Sequence, residues 1–512
     1  MSEEITGELG RVARGGALAF VGLISSAIFG FLVRAVIGRY LGPSAYGTYS
    51  LAMTVFTITL VVVMMGFPMG LQRQVAYFLN RRRDEVHLLI STALHLLAIS
   101  SLLGFIALEI IREALPEYIG GGKLLVGLLG ILALALPLNA TFNALISTTQ
   151  GFGRVREYLI YGKISTPAIY FLTASVAVLI TSNVKYVAVA YLLTYAILLF
   201  LLGRDAKRFG ILPRRFRFSV GIARELLLFS LPLMTSNLMS FIMNWTDTLM
   251  LGHYLGERVV GLYNAAGPIT RFIPVFMASL TVIYTPVATG LFSRGKLKDV
   301  GRFYTVVTKW VVLLTFPLFV LVTAYPVPVL RLLFGPTYIP AGGAMVILAF
   351  GFMFHSLVGP NGLTLVTIGK PSENMKGDLT GATLNVILNY LLIPTYGMIG
   401  AAVATASSYI ATNVYKSLRL AQFGIVPFGR AYLKVLIAGL LSFGIAYLMR
   451  ANSITVALLG TALSSLVFYA LSIVLGALEE EDIKLLKMAG KKFGLRTEPL
   501  IRFLERFGRV EK

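Results

Sequence analysis

The sequence contains no cysteine, and charged residues make up only 13% of its 512 residues. The lack of cysteine excludes disulfide bonds and thiolate metal sites. The scarcity of charge excludes an ordinary soluble domain, in which about a quarter of the residues are charged. With 57% hydrophobic residues and a mean hydropathy of +0.80, the composition predicts an all-α polytopic membrane protein.

Acidic residues are scarce as well, since 23 Asp and Glu stand against 45 Lys and Arg and the formal net charge is +22. Such an excess can indicate nucleic acid binding, but these charges lie in short segments between apolar runs, so we expect no nucleic acid partner. Basic segments beside membrane helices attract anionic lipid headgroups. We therefore expect anionic membrane lipids as partners of residues 203–226, predicted as an interfacial helix, and of the basic amphipathic tail after Glu479.

Apolar runs of the length that spans a bilayer, roughly 20 residues, recur along the whole chain. Fourteen spans are predicted, near residues 17–40, 45–68, 88–111, 124–146, 164–182, 186–203, 226–251, 259–287, 309–327, 341–368, 378–394, 398–420, 433–449 and 454–476. If successive connections alternate between the two sides of the membrane, 36 Lys and Arg fall on one side and seven on the other. Cytoplasmic loops are enriched in these residues, so both termini are predicted to be cytoplasmic.

One motif occurs twice, 214 residues apart. RYLGPSAYGTYSLA begins at Arg39 and HYLGERVVGLYNAA at His253, and a second pair, NALISTTQG from Asn143 and NGLTLVTIG from Asn361, is offset by 218. Six predicted spans separate the members of each pair, so both copies have the same orientation and predict two parallel six-helix repeats. The predicted domains are an N-lobe over 1–212, a C-lobe over 213–424, and two further helices with the tail over 425–512.

These segments resemble the multidrug/oligosaccharidyl-lipid/polysaccharide exporter superfamily, and especially its polysaccharide branch of Wzx-like flippases. The first motif is similar to that branch's L-G-P-x-x-Y-G-x-Y turn, and SLPLMTSNLMSFIMNWTDTLMLGHYLG is similar to its seventh helix. FGPTYIPAGGAMVILAFG and GMIGAAVATASSYI resemble two later segments. The resemblance covers about twelve helices. It implies a flippase that moves oligosaccharide on a polyprenyl phosphate or pyrophosphate across the plasma membrane of a prokaryote by alternating access.

No enzymatic or cofactor site is predicted. GGGKLL and TIGKPS each contain Gly-Lys but lack the other residues of a phosphate-binding P-loop, and the four His are too far apart in the sequence for a metal cluster. We therefore expect a carrier, and a monomer. Two alternatives remain at this stage, which are a cation-coupled multidrug exporter of the same superfamily and a non-transporting scaffold that recruits glycan enzymes through its basic tail.

Three charged residues inside predicted spans are the main candidate site residues, because a charge at a helix centre costs about 2.5–3.5 kcal/mol on insertion scales. Arg271, between Pro268 and Pro274, is predicted to hold the anionic head of the substrate. Arg34 is a second candidate, although it could also extend to the outer headgroups. Lipid II flippases of the superfamily carry cavity-lining arginines in helices one and eight, which this placement resembles. Asp247 lies close to the repeat position of Arg34, so an ion pair or a coupling role is predicted.

Uncharged polar residues in the spans form a second group of candidates. Asn143, Asn237 and Asn361 could bind sugar hydroxyls, although buried amides also serve packing between helices. His355, in the middle of the tenth predicted helix, could couple transport to protons because histidine titrates near neutral pH. A hydrogen-bonded core histidine is the alternative.

We expect the segment around Arg215 to face the cytoplasm, because the asymmetry of Lys and Arg would vanish if a helix had been missed. A cysteine introduced at Arg215 is well suited to the test, since the native chain has none. In intact cells it should not react with a membrane-impermeant maleimide, and it should react once the membrane is opened. Labelling from outside intact cells would contradict the topology.

Overall fold

The computed structural model describes residues 3–213, 215–477, 479 and 482, and for residues 3–20, 233, 235–240, 242–244 and 283 it describes the backbone alone. These residues form α-helices without a β-strand among them, which confirms the predicted all-α class. Among them, eleven helical segments are long and apolar enough to cross a membrane. Two of these segments, Val21–Arg81 and Pro371–Ala421, contain 61 and 51 residues and each is interrupted by a glycine. The count of fourteen spans stays a prediction.

The helices belong to two compact units. The first unit contains Val21–Ala265 and Asn389–Met398. Its helices are α1 (Glu3–Met64), α2 (Phe67–Arg81), α3 (Val86–Ile111), α4 (Leu115–Ile119), α5 (Gly122–Gly151), α6 (Val155–Glu157), α7 (Thr166–Thr181), α8 (Val184–Arg208), α9 (Val220–Leu255) and most of α10 (Glu257–Thr270). The centre of this unit is α5, which packs against α2, α3 and α8, while α7 packs on the far side of α8.

The second unit contains the described residues up to Phe20, which begin α1, together with Ala266–Leu388 and the described residues from Ile399 onward. Its helices are α11 (Val275–Ser293), α12 (Leu297–Ala324), α13 (Pro326–Leu333), α14 (Gly342–Val358), α15 (Asn361–Thr367), α16 (Pro371–Ala421), α17 (Arg430–Leu448) and α18 (Ile454–Val474). The centre of this unit is α12, which packs against α11, α14, α17 and α18. The last two helices are thus integrated into the unit: Phe316 stacks on Phe468 with ring centroids 4.0 Å apart.

Prolines interrupt several helices that were predicted to be continuous. The predicted eighth helix is divided into α10 and α11, and Arg271 begins the four-residue turn between them, which is flanked by Pro268 and ends at Pro274. The tenth is divided into α14 and α15 at Gly359 and Pro360. A proline lacks the backbone N–H and its ring clashes with the preceding turn, which accounts for the two breaks, although Pro137 and Pro317 are accommodated inside continuous helices.

The segment predicted as an interfacial helix over 203–226 does not form a separate helix. Its first residues extend α8 to Arg208 and its last residues begin α9, and the described residues between them are non-helical. The stretch is anchored to α3, because the backbone N–H of Arg217 donates to the Ser91 hydroxyl at 2.7 Å and that of Ser219 to Thr92 at 3.2 Å. The tail after Glu479 lies outside the described residues, apart from Asp482.

The repeated motif adopts the same backbone in both copies. Gly42 has φ 78° and ψ 172°, and Gly256, its equivalent 214 residues later, has φ 78° and ψ 176°. Both values lie in a region that side-chain-bearing residues rarely adopt, which explains why glycine ends the helix in each copy. The shared conformation confirms that the two segments are structural equivalents.

The two copies also contact each other through a second pair of glycines. A Cβ atom at Gly47 would lie 1.7 Å from the carbonyl oxygen of Glu257, and a Cβ at Gly261 would lie 1.9 Å from that of Pro43. Both pairs are related by the same offset of 214 residues, so the contact is reciprocal, as a local two-fold axis requires. Glycine is required at both positions because the backbones touch.

A buried lysine in α12 holds the start of the C-terminal tail. The Lys309 ammonium is 1% exposed and donates to Asp482 at 2.6 Å, to Glu479 at 2.7 Å and to the carbonyl of Ala477 at 3.0 Å. The Trp310 indole donates to the second oxygen of Asp482 at 2.8 Å. Burial raises the pKa of the Asp482 carboxyl even though the Lys309 ammonium opposes the shift. One ammonium thus serves two carboxylates, of which Asp482 is buried with it and Glu479 is partly exposed.

Replacing Gly47 by alanine should destabilise the protein, because the added methyl group must push the two turns apart. Overpacking of this kind costs about 1–3 kcal/mol, and Gly261→Ala should have a similar effect. The matched control is Gly203→Ala, since a Cβ atom there has no neighbour within 4 Å and alanine favours the helix. Thermal unfolding in detergent measures the effect. A Gly47→Ala protein that melts with the control would show that the reciprocal contact is not structural.

Candidate functional site

A cavity of about 250 Å³ lies inside the first unit, between the helices that flank the repeated motif. It is bordered by both arms of α1, by α7, by α9 and by α10. Typical small-molecule pockets enclose roughly 300–1,000 Å³. The cavity therefore fits a phosphate with an adjoining ring, and it is too small for a whole oligosaccharide.

Arg34 is the one charged side chain among the described residues that line this cavity. Its guanidinium carbon lies 6.0 Å from the centre of the Trp245 ring, at the outer range of a cation–π contact. The buried lysines of the second unit are each paired with a carboxylate, Lys309 with Asp482 and Lys416 with Asp378, both at 2.6 Å. The ion pairs among the described residues include none with Arg34.

Aromatic and hydroxyl groups form most of the remaining wall. Tyr46, Tyr49 and Tyr170 line the cavity together with Trp245, and the hydroxyls of Tyr49 and Tyr170 are hydrogen-bonded to each other. The Tyr46 hydroxyl donates to the carbonyl of Asn264 at 3.0 Å. Polar side chains at the wall are Ser50, Thr57 and Asn264. Aromatic faces beside a cation suit a sugar ring next to a phosphate, since rings give apolar contact and hydroxyls give hydrogen bonds.

A π-helical segment, Tyr158–Ser165, positions the α7 side of the cavity. It ends just before Pro167, whose missing N–H leaves a carbonyl of the preceding turn without its helical partner. The Tyr161 carbonyl accepts both the backbone N–H of Thr166 and the Thr166 hydroxyl, the latter at 2.7 Å. π-Bulges are often found at functional sites, and here the bulge directly precedes the two α7 residues of the cavity wall, Pro167 and Tyr170.

Asp247 is buried, with 3% of its surface exposed. Its carboxylate accepts a hydrogen bond from the Tyr263 hydroxyl at 2.7 Å and one from the backbone N–H of Thr248 at 2.7 Å. Tyr263 is the repeat equivalent of Tyr49, so each copy of the motif contributes a buried tyrosine with a hydrogen-bonded hydroxyl. The described ion pairs do not include one between Asp247 and Arg34, although both residues belong to the first unit.

Asn143 lies in α5 and is linked to the cavity residue Tyr170 through Asn139 and Tyr191. Its amide donates to the side chain of Asn139 at 2.5 Å, and Asn139 donates to the Tyr191 hydroxyl at 2.8 Å. The Tyr191 ring meets that of Tyr170 edge to face, with centroids 5.2 Å apart. Asn143 therefore bonds within α5, is connected to α8 only through Asn139, and is not itself part of the cavity wall.

The remaining predicted residues lie in the second unit or outside the described side chains. His355 accepts or donates a hydrogen bond with Asn413 at 2.9 Å. The same Asn413 accepts from the Asn361 amide at 3.1 Å, and Asn361 is 1% exposed. Arg271 is half-buried and its backbone N–H donates to Gly267 at 3.0 Å. The side chain of Asn237 lies outside the described residues.

Sequence reasoning identified Arg34 from its charge in an apolar run, and missed the aromatic wall. Tyr49 carried a usable signal, because it belongs to the G-x-Y part of the repeated motif. Trp245, one of two tryptophans in the chain, lies two residues before Asp247. Tyr170 carried no signal, since a tyrosine in an apolar helix is compatible with any packing.

A bundle of apolar helices with a partly polar cavity is an architecture that membrane transporters share. The solved structure of the lipid II flippase MurJ in an inward closed conformation shares the fold, with a TM-score of 0.73 over 89% of this chain and 98% of that one, at 15% identity. The chain belongs to the family of polysaccharide biosynthesis proteins, whose model matches residues 36–342. The resemblance to the polysaccharide branch of the exporter superfamily is thereby confirmed.

Two relatives match over most of their length. A probable low-salt glycan biosynthesis flippase, Agl15 of Haloferax volcanii, is 23% identical over 482 residues, which cover 92% of this chain and 98% of the relative. A putative O-antigen transporter of Shigella flexneri is 25% identical over 408 residues, which cover 75% of this chain and 90% of the relative.

The cavity should bind phosphate monoesters of short prenols, and Trp245 should report the binding. In a Trp310→Phe protein, Trp245 is the only tryptophan, so its emission comes from the cavity. We expect a saturable change of emission with a short-chain prenyl phosphate in detergent, and its loss in Trp310→Phe with Arg34→Leu. The parent prenol, which lacks the phosphate, is the matched ligand control. An equal change of Trp245 emission with the prenyl phosphate and with the prenol would contradict an anion site at Arg34.

Proposed function

We propose that the chain is a flippase that carries lipid-linked oligosaccharide, on a polyprenyl phosphate or pyrophosphate, across the cell membrane of a prokaryote by alternating access. The observation that supports this most directly is Arg34, a cation in an aromatic cavity of the membrane-embedded region with no ion pair among the described residues. The names given to the relatives from Haloferax volcanii and Shigella flexneri point to the same class of substrate.

The proposed role of Arg34 is to hold the phosphate at the junction between lipid and sugar. A guanidinium can donate two parallel hydrogen bonds to phosphate oxygens, and in a low-dielectric site this interaction is stronger than in water. The first sugar would lie against the rings of Tyr49, Tyr170 and Trp245. Because the cavity is smaller than an oligosaccharide, the distal sugars would have to extend beyond it, so recognition would concentrate on the phosphate and the first sugar.

Alternating access is supported by the reciprocal contact between the two copies of the repeated turn. Both turns are predicted to face the outside, so the Gly47–Glu257 and Gly261–Pro43 contacts would close the external ends of their helices in this conformation. Release to the outer leaflet would require these contacts to separate. Separation would also break the hydrogen bond from the Tyr46 hydroxyl of the first copy to the Asn264 carbonyl of the second.

Arg271 is proposed as a second residue for the anionic head during transport. It begins a turn between two prolines, and such breaks expose carbonyl groups that line cavities in membrane proteins. Asp247 and His355 are the candidates for ion coupling, and the amides of Asn143, Asn237 and Asn361 are the candidates for sugar hydroxyls.

A multidrug exporter for organic cations is the competing function. Its cavity would need a carboxylate, whereas the wall described above carries Arg34 and the nearby Asp247 carboxylate is bonded to Tyr263 and Thr248. The cavity charge therefore favours an anionic substrate. Direct transport of an organic cation by the purified protein would favour the exporter instead.

Arg34→Ala should strongly reduce flipping of a fluorescent lipid-linked glycan in proteoliposomes, and Arg34→Lys should retain part of it, because lysine keeps the charge but loses the bidentate geometry. Loss of a hydrogen bond to a charged group is worth about 1.5–3 kcal/mol, which corresponds to roughly a tenfold to hundredfold effect on the rate. Arg271→Ala is measured in the same assay.

The matched control is Arg73→Ala, in α2. The Arg73 guanidinium carbon also lies near an aromatic ring, 4.2 Å from the centre of Phe229, but Arg73 does not line the cavity. It should flip at close to the native rate. If Arg34→Ala and Arg73→Ala both retain native flipping, the cavity does not hold the phosphate. If the wild type flips no lipid-linked glycan under a pH or sodium gradient, the proposed function itself fails.

A further inference from the structure

An apolar hollow of about 380 Å³ lies on the first unit between α7 and α8, and it is separate from the Arg34 cavity. Its walls are formed by large side chains that stand out from the helices, including Leu172, Ile180 and Leu193, which are 61%, 77% and 51% exposed. Its floor is formed by small residues, Thr173, Ala177 and Ala190. The hollow exists because small residues alternate with large ones at this helix contact.

The floor of the hollow is an apolar surface although it includes Thr173, because the Thr173 hydroxyl is already hydrogen-bonded. The Thr173 hydroxyl donates to the carbonyl of Ile169 at 2.9 Å and is hydrogen-bonded to the Thr194 hydroxyl at 3.0 Å. At the outer end, the Thr181 hydroxyl donates to the carbonyl of Ala177 at 2.6 Å. Since the hydroxyls are used between and within the helices, the hollow offers a ligand few polar groups. A sugar would lose hydrogen bonds there, whereas an alkyl or prenyl chain would lose none.

The hollow begins where the Arg34 cavity ends. Tyr170 lines the cavity and Thr173, three residues later on the same helix, lines the hollow. Residues at this spacing lie on one helical face, and three residues span about 4.5 Å of helix. The Thr173 hydroxyl also contacts the carbonyl of Tyr170 at 3.2 Å. A polar site and an apolar site therefore follow each other within one turn of α7.

We infer that this hollow binds the first isoprene units of the lipid carrier while its phosphate is held at Arg34. The inference rests on the proposed function and deepens it, because it assigns the apolar half of an amphiphilic substrate to a site of its own. From Thr173 to Thr181 the hollow extends over eight residues, or about 12 Å of helix. It can thus seat only the start of a long prenyl chain, and the rest would remain in the bilayer.

The inference leads to a difference between long and short carriers. Ala177→Phe fills the floor of the hollow, so flipping of a glycan on a long polyprenyl phosphate should fall about tenfold, the lower end of what the fit of a methylene group decides in an apolar pocket. The matched control is Ala107→Phe, on a lipid-facing position of α3. A glycan phosphate with a methyl group in place of the prenyl chain, the shortest possible carrier, has no isoprene unit to enter the hollow and should be transported equally by both variants.

A measurement on the wild-type protein covers the case in which Ala177→Phe fails to fold. A prenyl phosphate with a diazirine on its second isoprene unit should label peptides of α7 and α8, and excess unlabelled prenyl phosphate should suppress the labelling. A diazirine phosphatidylcholine at the same mole fraction should label these peptides no more than other lipid-facing helices.

Two results would overturn the inference. One is flipping of the long-carrier glycan by Ala177→Phe at the rate of Ala107→Phe. The other is equal labelling of α7 and α8 by both probes, which would identify an ordinary bilayer lipid as the occupant. In either case a wild type that still flips lipid-linked glycan leaves the proposed function standing, whereas an inactive wild type removes the proposed function first.

Discussion

The contact between the two copies of the repeated turn is the constraint on which the cavity depends. Gly47 and Gly261 let the backbones touch, and the helices that leave these turns carry the cavity wall. Arg34 precedes Gly42 by eight residues, or about 12 Å of helix, and Trp245 precedes Gly256 by eleven. A wider spacing of the turns would therefore separate the guanidinium from the indole. The two copies of the motif recognised in the sequence thus pack against each other, so each copy supplies one side of the same contact.

Lys309 and Arg34 are two cations of the described helices that differ in their burial and in their surroundings. Lys309 is enclosed by carboxylates and carbonyls, and removal of one partner from a buried pair typically costs 3–5 kcal/mol, so its role is to hold the chain segment that follows α18. Arg34 faces a cavity and an aromatic ring. The ion pairs among the described residues include none with Arg34, and under the proposed function the phosphate of the lipid carrier would supply the opposite charge.

The sequence was sufficient for the all-α class and for the repeated glycine turn, because long apolar runs and repeated glycines are local signals. It was insufficient for the helix breaks, which require knowing how strongly neighbouring packing tolerates Pro268 and Pro274. The sequence also predicted an interfacial helix where the described residues between α8 and α9 are non-helical. There, the Ser91 and Thr92 hydroxyls of α3 accept hydrogen bonds from the backbone N–H groups of Arg217 and Ser219. The wall formed by Tyr170 could not be predicted, since its role depends on a partner 121 residues away.

The register of α7 connects the two proposed halves of the substrate site. The π-helical turn before Pro167 contains more residues per turn than an α-helix, so it rotates everything that follows relative to the preceding helix. This rotation brings Tyr170 to the cavity, and the regular α-helix beyond it then brings Thr173 and Ala177 to the hollow. A continuous α-helix through this segment would present other residues on both surfaces. The π-helical turn is therefore what places a polar and an apolar contact on one face, in the order in which phosphate and prenyl chain would occur in the proposed lipid carrier.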